Sequence, residues 1–326
     1  MAQGMIDTAA PANPAISVEA LLRDDLAHGD AMIGTIAPIM RHLLANDEHS
    51  VFSDEIVAAV RGMFAHVAAQ VLDELATAAG MPDARDHSAE TLAGLIEGFV
   101  AHTGFLGHVH ALALEWQLTQ RLQARLSLDP VLSPLLQALI ASSDAQVATT
   151  AMALLAAQAR FAQNQRRMQL PLDELPGDLL HSALVGLRGL GGDDPELQDH
   201  VAAAERAIRS RYDEGRSRLG LISRLVMGMG AGATAALAVT HAGAGMFLSA
   251  LALASGQDRE MAILATNEAQ VARLALALRA AGMKAASIEE QFLAFHPEVT
   301  LPQGFEQLGA DQAAALLARS ATYPGG

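Results

Sequence analysis

The stretch "RLVMGMGAGATAALAVTHAGAGMFLSALALAS", residues 224–255, carries one charge, at its first residue. Three readings compete for it: a membrane span, a dinucleotide-binding glycine loop, and the buried helices of an all-helical domain. Its length exceeds the roughly 20 residues needed to cross a bilayer. The run is nonetheless mostly alanine and glycine, and Thr240 and His241 stand at its middle. "HAGAG" (241–245) divides it into two pieces of about ten to twelve residues each, a length that suits buried helices better than spans. Arg216, Arg218 and Arg224 on one side suit a positive-inside flank, so membrane association through residues 219–255 stays open as an alternative. "GMGAGA" (228–233) has glycine spacing that begins a dinucleotide fingerprint. The full motif needs a preceding strand, a third glycine one residue later and an acid about twenty positions on. The segment before it reads as helical, and the next acid is Asp258. The favoured reading makes Gly228, Gly230 and Gly232 the turn into two small-residue helices packed closely on their neighbours.

Composition supports helices throughout. The 326 residues are 51% hydrophobic but only 4% aromatic, and alanine is abundant. That mixture suits close helix packing and not a sandwich or barrel, which draws on β-branched and aromatic residues. The formal charge is −15, and residues 1–100 hold 15 acids against 4 bases. So acidic a chain repels nucleic acid and anionic lipid. The absence of cysteine excludes disulfides, thiolate metal sites and a cysteine nucleophile; it fits a cytoplasmic setting. Residues 1–16, "MAQGMIDTAAPANPAI", have neither a basic nor an apolar leader region and read as a disordered tail.

Along the rest of the chain one helical signal follows another. A short helix is expected from Ser17 to about Ala27 and a second from Asp30 to Leu44. Ser53 is the expected cap of a helix carrying Ile56, Val60, Met63, Val67, Val71 and Leu75, closed by Gly80 and Pro82. Ser88 begins another helix. Phe105, Val109, Leu112 and Trp116 mark a long one ending near Leu126. Residues 129–161 read as a helical hairpin turning at Ser142–Ser143–Asp144, with Asp144 capping the second helix. Its "SDAQVATTAMALL" is like the inner part of a HEAT-type unit, with Val147, Ala151 and Leu154 inward. "LRGLGGDDPELQDH" (187–200) is the strongest break, and it places a boundary near residue 192 between subdomains 17–192 and 193–326. Beyond it, residues 195–227 read as one long amphipathic helix. Ile208, Tyr212, Leu219, Ile222 and Val226 share a face, and Arg206, Arg209, Arg216 and Arg224 line the opposite side. Shorter helices complete the chain.

No catalytic constellation emerges. In "AHTGFLGHVH" (101–110), His108 and His110 diverge by about 200° on a helix, whereas helical metal sites want ligands at i, i+3 or i+4. These histidines are therefore expected in turns or on the surface, and no metal or cofactor is expected. Adjacent acid pairs such as Asp24–Asp25 and Glu289–Glu290 read as solvated faces. No serine elbow, no P-loop and no serine beside a histidine base is apparent, and the single lysine, Lys284, adjoins a glycine turn. The arginine set Arg206, Arg209, Arg216 and Arg224 is the expected docking face for an acidic protein partner.

"RRMQLPLDELPGDLLHSAL" (166–184), "SSDAQVATTAMALL" (142–155) and "RLALALRAAGM" (273–283) together resemble an uncharacterised family of helical, HEAT-like proteins from alphaproteobacteria, over roughly residues 90–300. The resemblance implies an α-helical repeat fold and no activity. The expectation is thus an all-α protein of helical hairpins in a partly solenoidal, HEAT-like array. Its expected role is a non-enzymatic cytoplasmic protein-interaction or regulatory module, with homo-oligomerisation open and no nucleic-acid partner. The alternative from a different class is a small-molecule-binding or enzymatic helical domain. Its mark would be a concave pocket holding a buried, shifted carboxylate or histidine, with Glu97, Glu115, His108 and His241 the residues to check.

Overall fold

A computed structural model describes residues 17–45, 54–81 and 87–320. The expected tail at 1–16, the cap at Ser53 and the stop at Pro82 lie outside them. Among the described residues all regular structure is helical and there is no strand. The α-helices are α1 (Val18–Ala45), α2 (Asp54–Ala78), α3 (Ala89–Ala101), α4 (Thr103–Leu126), α5 (Pro134–Ile140), α6 (Ala145–Arg166) and α7 (Gly177–Gly189). After the break come α8 (Pro195–Arg211), α9 (Arg218–Gly228), α10 (Val239–Ser255), α11 (Arg259–Leu264), α12 (Val271–Ala280), α13 (Ala285–Phe295) and α14 (Ala310–Leu317).

Side-chain caps fix many of these boundaries. Ser88 accepts from the Thr91 amide, and Ser133 from that of Leu136. Asp144 accepts from Gln146 and Val147, and Asp194 from Glu196 and Leu197. Each oxygen satisfies amides that the first helical turn leaves without an internal acceptor. The α5–α6 hairpin and the 190–194 turn stand where the sequence puts them.

Two expected boundaries move. Residues 18–45 form one helix of 28 residues, not two. Gly29 sits in its buried interior, where Gln270 Nε2 donates to the Gly29 carbonyl at 2.8 Å and Asp30 pairs with the buried Arg273. Tertiary contacts thus keep helical a segment whose local sequence reads as a break. Conversely, the expected helix 195–227 is cut. α8 stops at Arg211, a 3-10 turn runs from Glu214 to Arg216, and α9 starts afresh. Asp213 caps the turn and Ser217 caps α9. Gly220 permits the tight reversal, because a Cβ there would lie 2.2 Å from the Glu214 carbonyl oxygen.

In the 224–255 stretch, Gly230–Leu237 forms a 3-10 run and α10 is kinked at Gly243, whose φ of 72° and ψ of 165° favour glycine. "HAGAG" therefore is a break, but inside α10. Beyond the kink nearly every residue of α10 as far as Ala252 is buried in the core. Among the described residues one helix, Glu55–Ala78, is long and apolar enough to cross a membrane, and half of that window is buried within the molecule. Residues 219–255 hold no helix of that length.

Two large apolar cores result. One gathers α5, α6, α9, α10 and α12 to α14. The other gathers α2, α3, α7 and α8. Two long helices belong to both: α1 places Leu22 and Leu26 in the first and Ala37 and Met40 in the second, and α4 places Leu118 and Leu122 in the first and Phe105 and Val109 in the second. Residue 192 lies in the turn between α7 and α8, which pack in the same core. Helices distant in sequence touch, α2 with α8 and α1 with α12, whereas in a solenoid each repeat meets its neighbours. No solenoid or HEAT repeat is identified.

Candidate functional site

The first core holds a buried ion pair joined by a second, partly exposed arginine. Glu115 on α4 and Arg218 at the start of α9 are 1% and 2% exposed. Arg218 donates through Nη1 to Glu115 Oε1 and through Nη2 to Oε2, both at 2.8 Å, the forked geometry that guanidinium and carboxylate planes favour. Its guanidinium carbon lies 3.7 Å above the Phe161 ring centre, and Nη1 also donates to Gln158 Oε1 at 3.1 Å. Arg259, the first residue of α11, places Nη2 2.9 Å from Glu115 Oε1 and donates from Nε to Ser249. Burial by itself would push the Glu115 carboxyl up, but the charges and hydrogen bonds of Arg218 and Arg259 overcome it and hold the group down at about 2. A small pocket of about 20 Å³, room for roughly one water, is lined by Glu115, Gln158, Arg218, Ser133 and the backbone around Gly243. A Cβ at Gly245 would lie 3.1 to 3.3 Å from Arg218, Gln158 and Glu115, so α10 approaches the cluster through bare backbone.

Arg259 also faces outward. With Gln257, Asp258, Ser249, Ser217, Glu174, Glu214 and Arg224 it lines an open groove of about 660 Å³ between α9 and α10. Met227 on α9 and Leu253 on α10, 59% and 56% exposed, line it together with Leu219 and Val226. Burial pushes the Glu174 carboxyl up, partly offset by the Arg218 amide that donates to it at 2.8 Å. Arg224 donates to the Gly215 carbonyl. Three acids therefore face a groove whose cations are both engaged, one of them by Glu115.

The cut between α8 and α9 disperses the expected arginine row. Arg206 and Arg209 stand on α8, Arg216 in the 3-10 turn and Arg224 on α9. Arg209 pairs with Glu205, which also takes Arg188. Of the four, only Arg224 lines the groove.

The residues marked for a pocket also separate. Glu97 is exposed and His241 half-buried. His108 and His110, expected in turns or on the surface, are buried within a helix, because α4 begins at Thr103 and runs between the two cores. His108 Nδ1 lies 3.2 Å from Glu260. His110 has an unpartnered Nδ1, and burial lowers it to about 4, so it is neutral at neutral pH. A serine does stand beside a histidine. Ser182 Oγ is 3.3 Å from His102 Nε2 at the edge of a groove of about 610 Å³ between α3 and α7. His102 Nδ1 accepts the Phe105 amide in capping α4, which puts the neutral ring's proton on Nε2. That tautomer gives a proton to Ser182 and takes none from it, so this is no nucleophile–base pair.

Sequence reasoning missed Arg218 and Arg259 as core residues. The usable signal was their position directly after Ser217 and Asp258, at the start of apolar helical segments. No family model matches the chain, and no curated protein or solved structure matches it, so the expected family resemblance has no match behind it and what stands is an all-helical protein.

Proposed function

We propose that the protein is a non-enzymatic interaction module that takes an amphipathic segment of a protein partner into the groove between α9 and α10. The observation that carries this reading is the pair of exposed apolar side chains, Met227 on α9 and Leu253 on α10, that line one open groove. Such a lining accepts the apolar anchors of a docking helix. The acids Glu174, Glu214 and Asp258 around it, on a chain of net charge −15, favour a partner segment that is basic where the arginine row favoured an acidic one. Arg206, Arg209 and Arg216 then serve at most as a rim. Of the expected HEAT-like array, the α5–α6 hairpin is the unit this reading keeps.

The test is photo-crosslinking from position 227 in cells, followed by capture with two double variants. Met227→Glu with Leu253→Glu is expected to abolish capture at an unchanged melting temperature, and Arg209→Glu with Arg216→Glu to preserve it. The reverse pattern hands the contact to the arginines. A second reading, a small amine or other cationic ligand in the same groove, is favoured by Glu174, whose raised carboxyl faces it. Its sign is saturable ligand binding that Glu174→Gln removes.

A further inference from the structure

Glu268 opens the 3-10 turn Glu268–Gln270 between α11 and α12, His296 ends α13, and Glu298 follows two residues on. One ligand atom from each lies within 4.8 Å of those of the other two. His296 is 1% exposed, with its ring beside those of Phe292 and Phe295. The backbone of Thr266, itself a buried residue, is the hydrogen-bonding neighbour of the imidazole. Its Nε2 is buried and has no hydrogen-bond partner. The backbone holds the ring in place, because the His296 amide donates to Phe292 at 2.7 Å and the His296 carbonyl accepts from Val299 at 3.0 Å.

A histidine whose one ring N–H is given to a carbonyl presents the other nitrogen as a lone pair of fixed direction, and metal-binding histidines are oriented in this way. Most buried polar atoms find partners, and this unpartnered nitrogen belongs to a ring that has two carboxylates beside it. We propose that Glu268, His296 and Glu298 bind one divalent first-row transition cation. Imidazole with two carboxylates supplies three donors of the kind zinc accepts and leaves a position for water. The imidazole argues against calcium or magnesium, which prefer oxygen donors throughout. The two carboxylates match the charge of a dication, and the opposing cation acting on the ring is Arg121 of α4. Tetrahedral donors stand about 3.4 Å apart at zinc bond lengths. Both glutamates are exposed, so their carboxylates are free to swing inward on a fixed imidazole. The cation would strap the turn before α12 to the loop after α13.

The experiment uses the full chain, free of affinity tag and dialysed against a chelator, titrated with Zn²⁺ by calorimetry. One equivalent is expected to bind and to raise the melting temperature. Glu268→Gln with Glu298→Gln should keep the metal-free melting temperature and weaken binding by at least about tenfold, the scale on which even supporting residues of metal sites act. Both changed residues are exposed, so loss of fold does not confuse the result. His296→Gln is expected to lose binding as well. Failure of the unaltered chain to bind an equivalent, or a double variant that binds as tightly as the unaltered chain, overturns the site.

Discussion

Glu115 and His296 are equally buried, and their surroundings differ in one respect. The carboxylate of Glu115 is saturated, with a forked guanidinium on one side, a second guanidinium on the other and no room around it beyond about one water. The ring of His296 has a nitrogen, Nε2, without a partner, and two exposed carboxylates lie beside it. A buried charge that is fully paired holds helices together. A buried lone pair left open beside acids is a place where something else belongs. Burial alone therefore does not mark a site; unsatisfied bonding capacity beside further ligand groups does.

The comparison is broken or sharpened in order of effect. If Glu115 is structural, Glu115→Ala leaves Arg218 and Arg259 uncompensated in the core and should cost about 3–5 kcal/mol in urea unfolding; a loss under about 1 kcal/mol would mean the cluster is not a structural lock. The buried, neutral His110 should show itself by pH. The folded chain holds it near 4 while its ordinary value is 6.5, so between these values the unfolded chain binds the extra proton. Stability is then full above about 6.5 and declines as pH falls towards 4, by on the order of 3 kcal/mol. His110→Gln should flatten that slope in denaturation at pH 7, 5.5 and 4. On the other side of the comparison, Zn²⁺ at a hundred times its dissociation constant should stabilise the unaltered chain by about 2.7 kcal/mol and the Glu268→Gln, Glu298→Gln chain by no more than about 1.4 kcal/mol. Gly245→Ala pushes a methyl into the ionic cluster and should cost about 1–3 kcal/mol, whereas Asp144→Ala, an exposed cap remote from both sites, should cost about 1 kcal/mol.

Much of the secondary structure was legible because its signals are local. Ser88, Asp144 and Asp194 cap helices from positions immediately before them, and the spacing of Phe105, Val109, Leu112 and Trp116 follows the turn of α4. The errors share one cause, the weight given to a local pattern against a distant contact. Gly29 reads as a break until Gln270, far along the chain, takes its carbonyl. The apolar spacing from Ile208 to Val226 reads as one helix although Asp213 and Ser217, both good caps, lie within it. The candidate site was less legible still. Glu268 and His296 are 28 positions apart and sit on separate elements, so no helical spacing announces them.

By itself, then, the sequence determined an all-helical protein with capped, alanine-rich helices and a strongly acidic charge, because propensity, capping and composition act over a few residues at a time. The tertiary structure alone decided which polar groups meet. It set Arg218 and Arg259 on Glu115, closed Ser182 on the wrong nitrogen of His102, and left His296 Nε2 without a partner. Those outcomes depend on how α4, α9, α11 and α13 pack, and short-range sequence pattern carries no record of that packing.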